Sequence, residues 1–234
     1  MSQSFPKRFY KTVATKPQEN GHVVTLDGRV LKTPGKQPLL MASEKHASLI
    51  ASEWNAQESE INPANMPLTR LMNVACERTA EKRDDLIFEA QRYGGTDLLC
   101  YRAESPRELS ELQEAKWGPW LQWASTKGIV LKSTTGIVAI KQDNIAIRNI
   151  GEWVTSFDDL DLTLLLHFTA VYGSVILALA VMRAELDAGE AFDLSRLDAL
   201  YQIERWGEDE EAAEIAEATR QEIVKIENLI RREI

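Results

Sequence analysis

The stretch LTLLLHFTAVYGSVILALAVM, residues 162–182, decides what kind of fold this chain adopts, because it carries no formal charge over 21 residues. At about 1.5 Å per residue, one helix of this length would reach across a bilayer. A helix that is apolar on all sides is also what the centre of a helical domain requires. His167 and Tyr172 dilute the stretch, and no cluster of Lys or Arg marks an inner membrane end. We therefore expect one buried core helix, with a transmembrane span as the alternative.

The composition of the whole chain is that of a soluble globular protein, with 44% hydrophobic and 27% charged residues among 234. Its net charge of −9 argues against nucleic acid and anionic membranes as partners, since both bind basic patches. The two cysteines, Cys76 and Cys100, do not form a CxxC motif. Isolated cysteines of this kind are typical of proteins in a reducing compartment, where they serve as small buried side chains. Three scattered histidines give no convincing metal site. Residues 1–11 show neither a signal peptide nor a transit peptide.

The first 40 residues carry strand patterns. HVVTL (22–26) and RVLKT (29–33) flank Asp27-Gly28, which predicts a two-residue hairpin because a type I′ turn needs positive φ at both central positions. From Ser43, a common N-cap residue, apolar side chains recur at helical spacing. The cluster INPANMP (61–67) contains two prolines and two asparagines, and we place a domain boundary there.

The sequence patterns of the remaining residues predict helices. We predict a helix over residues 144–157, a helix over 194–205 capped by Asp193, and a final helix from about Glu208 with an apolar stripe. A short strand pair is expected from residues 129–132 and 137–140. Trp117, Trp120 and Trp123 share one sector of a further helix, where they serve either as core residues or as an aromatic platform for a partner.

YQIERWGEDEE, residues 201–211, is the best candidate for a functional surface. It places a Trp-Gly pair directly before four consecutive acids. The acids fit a solvated helix start, a protein-docking patch, or acid–base catalysis. The sequence contains no GxGxxG, P-loop, GxSxG or HExxH motif.

The chain resembles a family of assembly chaperones that hold the alpha subunit of the ATP synthase F(1) head before it joins beta. Seven sequence blocks carry the resemblance, and they occur in the same order as in the family. Together they span about 200 residues, which makes the resemblance specific. The blocks are RFYKTV (8–13), LDGRVLKTP (26–34), ASEWNAQ (51–57), NPANMPLTRLMNVA (62–75), YGGTDLLCYR (93–102), WGPWLQW (117–123) and YQIERWGEDEE.

The resemblance implies an α+β fold, with a small antiparallel β-rich N-terminal domain (residues 1–60) followed by a larger all-helical domain, an orthogonal bundle (residues 61–234). It implies the F(1) alpha subunit as partner, no enzymatic activity, no cofactor, no nucleic acid, no stable membrane insertion, and a chain that is monomeric when free. Family members are cytoplasmic in alphaproteobacteria and mitochondrial in eukaryotes, and we expect the bacterial cytoplasm.

The resemblance also indicates site residues. An acid just beyond the Trp-Gly pair is important in the family, and Glu210 is the closest match. The predicted partner-binding set is Trp206, Glu208, Glu210, Glu211 and Glu214. Trp54 matches a family Glu-Trp pair and is expected to serve folding.

Two other functions stay open. One is a membrane-associated assembly factor anchored by residues 162–182. The other is a carboxylate-based hydrolase, which would need Glu204 or Glu208 in a closed pocket.

Overall fold

A computed structural model describes residues 5–230 of the chain. The fold is α+β, as predicted. Its residues form two compact units, which divide between Glu81 and Lys82.

The first unit contains an antiparallel sheet with β2 at its centre. β2 pairs with β1 along its whole length and with β3 and β4 on its other side. The strands are β1 (Val13–Gln18), β2 (Gly21–Leu26), β3 (Arg29–Val30) and β4 (Leu40–Met41). Between β2 and β3, Asp27 and Gly28 have φ values of 48° and 78°. The predicted type I′ hairpin is therefore confirmed.

Helix α1 (Glu44–Asn55) packs against this sheet. The Ser43 hydroxyl accepts a hydrogen bond from the His46 backbone N–H at 3.2 Å, so the predicted N-cap is confirmed. Ala47 and Ile50 are fully buried between the helix and the sheet. At the end of α1, the Tyr10 hydroxyl donates to the Trp54 carbonyl at 2.6 Å and ties the N-terminal segment to the helix.

The Pro- and Asn-rich cluster at residues 61–67 separates α1 from α2 (Pro67–Val74). The buried carboxylate of Glu53 in α1 accepts hydrogen bonds from the Leu68 and Thr69 backbone N–H groups, at 3.0 and 2.8 Å. Gln57 accepts one from the Asn62 N–H at 2.8 Å. Because these bonds hold α2 onto α1, the first unit extends past the boundary predicted after residue 60 and ends at Glu81.

Over residues 82–230, the second unit consists of helices, their connecting loops and one pair of two-residue strands. Its helices are α3 (Arg83–Gly95), α4 (Arg107–Thr126), α5 (Asn144–Thr155), α6 (Asp159–Tyr172), α7 (Val175–Met182), α8 (Ala188–Ser195), α9 (Leu197–Trp206) and α10 (Glu210–Glu227). The side chains of α7 from Val175 to Val181 are all buried, which places this helix in the core.

The apolar stretch 162–182 is core, as expected, but the prediction of one helix is wrong. Gly173 ends α6 in the left-handed conformation at φ 65°, and the Ser174 hydroxyl caps α7 by accepting from the Leu177 N–H at 3.1 Å. Within residues 5–230, no helix combines the length and the apolarity needed to cross a membrane.

A buried carboxylate holds this break in place. Asp97, which is fully buried, accepts hydrogen bonds from the Ser174 hydroxyl at 2.8 Å and the Ile176 N–H at 3.1 Å. Beside it, the Leu98 N–H donates to the Gly173 carbonyl at 3.0 Å. The backbone and hydroxyl groups that lose helical partners at the break thus form hydrogen bonds with a segment far away in sequence.

The predicted strand pair at residues 129–132 and 137–140 is wrong. Only Thr134–Thr135 (β6) forms a strand there, and it pairs in parallel with Tyr101–Arg102 (β5). The Gln142 side chain instead bonds both the N–H and the carbonyl of Lys132, at 2.8 and 2.9 Å. A side chain thereby takes the place of the expected partner strand.

Three further predictions need correction. Asp193 does not cap a helix over 194–205, because α8 continues through it and its carboxylate binds the Arg220 guanidinium at 3.1 Å. The final helix begins two residues later than predicted, at Glu210, with Asp209 as its N-cap. Cys100 is buried as expected, whereas Cys76 is exposed.

Of the three tryptophans of α4, Trp117 lies in the core. Trp117 is 1% exposed, and its indole N–H donates to the Leu194 carbonyl at 2.9 Å. Trp120 and Trp123 are half-buried, and the Trp123 ring lies 5.7 Å from that of Trp153.

Candidate functional site

The segment YQIERWGEDEE joins α9 to α10 on the surface of the second unit. α9 is amphipathic: Leu197 and Tyr201 face the interior, while its last three residues, 204–206, are exposed. Trp206, its final residue, is 76% exposed. An exposed Trp at a helix end is available for contact, since it contributes little to the core of its own domain.

Gly207 sets the direction in which the chain leaves α9. Its φ of 90° and ψ of 167° belong to a region that only glycine readily occupies. An added Cβ would meet no atom within 4 Å, so the requirement for glycine comes from the backbone alone. The turn separates Trp206 from the helix start that carries the acids.

Four predicted contact residues form an exposed acidic cluster around the start of α10: Glu208, Glu210, Glu211 and Glu214. Asp209 caps the helix, and its carboxylate accepts from the Ala212 N–H at 2.9 Å. Glu210 and Glu211 lie in the first turn, where the helix dipole favours negative charge. Within the described part of the chain, none of the four glutamates forms a salt bridge.

An apolar groove runs between α9 and α10, and we call it the α9–α10 groove. It consists of two adjoining cavities of about 260 and 280 Å³, which share Arg196, Ile203, Glu208 and Ala213 in their walls. Trp206 stands at one cavity. A groove lined by both apolar and charged side chains is typical of sites that receive an amphipathic segment of another protein.

The cations of this groove are already engaged. Arg196 stacks on the Phe192 ring at 5.5 Å, and Arg220 pairs with Asp193 at 3.1 Å. The positive charges therefore face partners within the unit, whereas the glutamates of the acidic cluster face solvent. A basic partner would meet carboxylates that are free to pair.

Only part of the predicted set lines the α9–α10 groove. Trp206 and Glu208 line the α9–α10 groove, whereas Glu210, Glu211 and Glu214 stand outside its walls. Trp54 belongs to the first unit. It is half-buried, and its ring lies 5.6 Å from the Tyr10 ring.

The apolar part of this surface was not predicted from the sequence. Leu200 is 43% exposed and lines the groove together with the half-buried Ile203. The predicted stripe of α10 is also split, because Ile223 and Ile226 are buried while Ile215 is 62% exposed. The sequence of α9 contains more apolar residues than its buried face can hold, which indicates that some of them are exposed. Only the fold shows which of these residues face solvent.

The geometry gives no support to a carboxylate-based hydrolase. That reaction would require Glu204 or Glu208 in a closed, partly dry pocket that separates the pKa values of two carboxyls. Both side chains are exposed. The cavities beside Glu208 are open grooves at the surface rather than enclosed sites.

The relatives of this α+β chain place it in the class of chaperones. Residues 7–125 match the family described as ATP12 chaperone protein. The mitochondrial protein atp12 of Schizosaccharomyces pombe is 31% identical over 222 residues, which cover 89% of this chain and 76% of the relative. The chain belongs to the ATP12 chaperone family.

Solved structures agree with this assignment. Atp12 from Paracoccus denitrificans is 40% identical, with a TM-score of 0.89 over 96% of this chain and 97% of the other. The Atu1473 protein from Agrobacterium tumefaciens is 36% identical, with a TM-score of 0.90 over 96% of this chain and 85% of the other.

Proposed function

We propose that this ATP synthase assembly chaperone binds the unassembled F(1) alpha subunit and shields the surface that beta will later cover. The observation that carries the proposal is Trp206, exposed at the edge of an apolar groove and next to four glutamates that form no salt bridge within residues 5–230. The contact surface comprises Trp206, Glu208, Glu210, Glu211 and Glu214, with Glu210 as the principal acid. Trp54 has a structural role in the first unit.

An isolated subunit exposes the apolar and charged surface that its partner normally covers, and such a surface aggregates. In our proposal, Trp206 and the α9–α10 groove receive apolar side chains of alpha, because aromatic anchors in pockets supply most of the affinity of protein interfaces. The glutamates pair with basic residues of alpha and steer its approach.

Release follows from competition. Beta needs the same surface of alpha, so its arrival displaces the chaperone without nucleotide hydrolysis or any other catalysis. The chaperone acts as a monomer in the compartment where F(1) assembles, without binding nucleic acid or inserting stably into a membrane. The identity to two bacterial relatives favours the bacterial cytoplasm, and a eukaryotic member would act in the mitochondrial matrix.

The test is a pull-down from native cell extract with the tagged full chain, followed by addition of purified beta. We expect stoichiometric alpha without beta, binding that weakens as salt rises, and release of alpha when beta is added. The double substitution Glu210→Lys with Glu211→Lys should reduce alpha recovery at least tenfold.

Asp84→Lys with Asp85→Lys is the matched control. These two exposed acids occupy the first turn of α3, so the change in net charge is the same and again falls at a helix N-terminus. We expect the control to retain alpha. Equal recovery with both double variants would reject this surface, and recovery of no alpha with the unmodified chain would reject the client.

A further inference from the structure

A second groove lies in the first unit, alongside β3, and we call it the β3 groove. Its volume is about 590 Å³, and the residues from Arg29 to Lys32 form one wall. Phe9, Tyr10 and Trp54 form another. The groove thus combines a strand with three aromatic side chains.

The strand at this groove has a free edge. In the part of the chain that the structure describes, β3 ends the sheet and pairs only with β2. Leu26 and Arg29 flank the two-residue turn, and Val30 stands opposite Thr25 in the next position of the ladder. Hydrogen-bonded and non-hydrogen-bonded pairs alternate in an antiparallel ladder, so the N–H and carbonyl of Val30 point away from β2. The next amide, that of Leu31, again donates to β2, at 2.8 Å from the Val24 carbonyl.

The aromatic wall offers an apolar contact. Phe9 is 72% exposed, and its ring packs edge-on against Tyr10 with centroids 5.3 Å apart. Tyr10 in turn contacts Trp54 at 5.6 Å. The Tyr10 ring is held in place by the hydrogen bond from its hydroxyl to the Trp54 backbone carbonyl, so this part of the wall is pre-organised for an apolar side chain.

The rim of the groove is basic. Arg29 and Lys32 are exposed, and neither forms a salt bridge among residues 5–230. The Asp27 carboxylate also lines the groove, but it accepts hydrogen bonds from Thr12 and Lys11, which hold its pKa below the usual range. Residues 1–40 contain seven Lys and Arg against two Asp and Glu, in a chain whose net charge is −9. The basic rim therefore contrasts with the rest of the molecule.

We infer that the β3 groove is a second protein-docking site, which takes an extended acidic peptide segment with one apolar anchor. The peptide backbone adds to the free edge of β3, as in other cases of strand addition. Its anchor side chain packs on Phe9, and its carboxylates pair with Arg29 and Lys32. This site has the opposite charge preference to the α9–α10 surface, and it does not depend on alpha being the client.

The test uses a fluorescein-labelled decapeptide of alternating Glu and Thr with one central Phe, and measures its binding to the full chain by anisotropy. We expect saturable binding that shifts the Val30 and Leu31 amide resonances of ¹⁵N-labelled protein. Arg29→Glu with Lys32→Glu should weaken binding at least tenfold, and Phe9→Ala should weaken it about fivefold. Replacing Glu by Lys in the peptide should abolish binding.

The matched control is Lys16→Glu with Lys36→Glu, which changes the net charge equally at exposed positions outside the groove. We expect it to change binding less than threefold. If both double variants weakened peptide binding equally, the binding would depend only on the overall charge of the unit, and the proposal would be overturned. Resonance shifts confined to other surfaces would also overturn it, as would a dimer of the free chain that Arg29→Glu dissociates, since the occupant would then be a second copy. Alpha recovery in pull-down, measured on the same variants, reports separately on the α9–α10 surface.

Discussion

The Asp97 carboxylate lies 2.8 Å from the Ser174 hydroxyl in the interior of the helical unit, although 77 residues separate them in the chain. The same carboxylate accepts from the N–H groups of Leu99 and Ile176, at 3.0 and 3.1 Å. Asp97 therefore connects the segment before β5 to the start of α7. This relationship explains how an apolar stretch of 21 residues turns in the core rather than continuing as one helix.

Replacing Asp97 should destabilise the helical unit. Asp97→Ala leaves two buried N–H donors and the Ser174 hydroxyl without their acceptor, and each buried donor that loses its partner costs about 1–3 kcal/mol. We expect a loss of about 3 kcal/mol in the free energy of unfolding, measured by urea denaturation followed by circular dichroism. Asp84→Ala, at an exposed position, should change stability by less than about 0.5 kcal/mol.

The same carboxyl should make stability depend on pH. Burial raises the pKa of Asp97 from 3.8 to about 6, against the hydrogen bonds that it accepts. Between these values the native state binds a proton that the unfolded state has lost, so stability falls as pH rises from 4 to 6. Acidification from pH 7.5 to 5 should therefore raise the contribution of Asp97 to the free energy of unfolding by about 1.4 kcal/mol.

Asp97→Asn removes this titration and provides the comparison. Urea midpoints of both proteins at pH 5, 6 and 7.5 would measure the difference, which cancels the contribution of all other groups. A difference that does not change with pH would show that Asp97 has the same pKa in both states.

Glu53 should be required for the first unit. Its carboxylate accepts from Leu68 N–H, Thr69 N–H and the Thr69 hydroxyl, at 3.0, 2.8 and 2.8 Å. Glu53→Ala should cost about 3 kcal/mol, because three buried donors at the start of α2 lose their partner. Native-state hydrogen exchange of Leu68 and Thr69 measures this directly. Glu58→Ala, at an exposed position nearby, should leave their exchange rates unchanged.

Gly207 should be sensitive to substitution although an added Cβ would meet no atom within 4 Å. At φ 90° and ψ 167°, Gly207→Ala carries backbone strain of about 1–3 kcal/mol. The chain can relieve that strain by turning α9 and α10 relative to each other, which would alter the groove between them. We expect alpha binding in pull-down to weaken more than thermal stability changes. Gly95→Ala, which also meets no neighbouring atom but has no positive φ, should be neutral in both measurements.

Trp206 should matter for binding and not for folding. Because its side chain is 76% exposed, Trp206→Ala should change the free energy of unfolding by less than about 0.5 kcal/mol. Loss of an aromatic anchor should weaken alpha binding more than tenfold. Phe88→Ala removes another exposed aromatic side chain of the same unit and should leave binding intact. A stability loss in Trp206→Ala that matches its binding loss would contradict the assignment as an anchor.

Local patterns predicted many elements correctly. The hairpin at Asp27-Gly28 and the Ser43 cap depend on interactions within four residues, which are visible in the sequence. The strand pair at residues 129–140 failed because the Gln142 side chain competed for the Lys132 backbone. The sequence did not distinguish the environments of Trp117 and Trp206, yet Trp117 is 1% exposed and Trp206 is 76% exposed.

The sequence alone determined the α+β class, the turn and cap residues, the acidic cluster after Trp206 and membership of a family, because these depend on local conformational preference or on residue identity. Only the tertiary structure decided that the apolar stretch breaks at Gly173, that Glu53 and Asp97 hold distant backbone, and that an apolar groove adjoins Trp206. Each of these depends on contacts between residues far apart in the chain, and burial in such contacts, rather than residue type, decides which polar groups need a partner and which apolar groups face solvent.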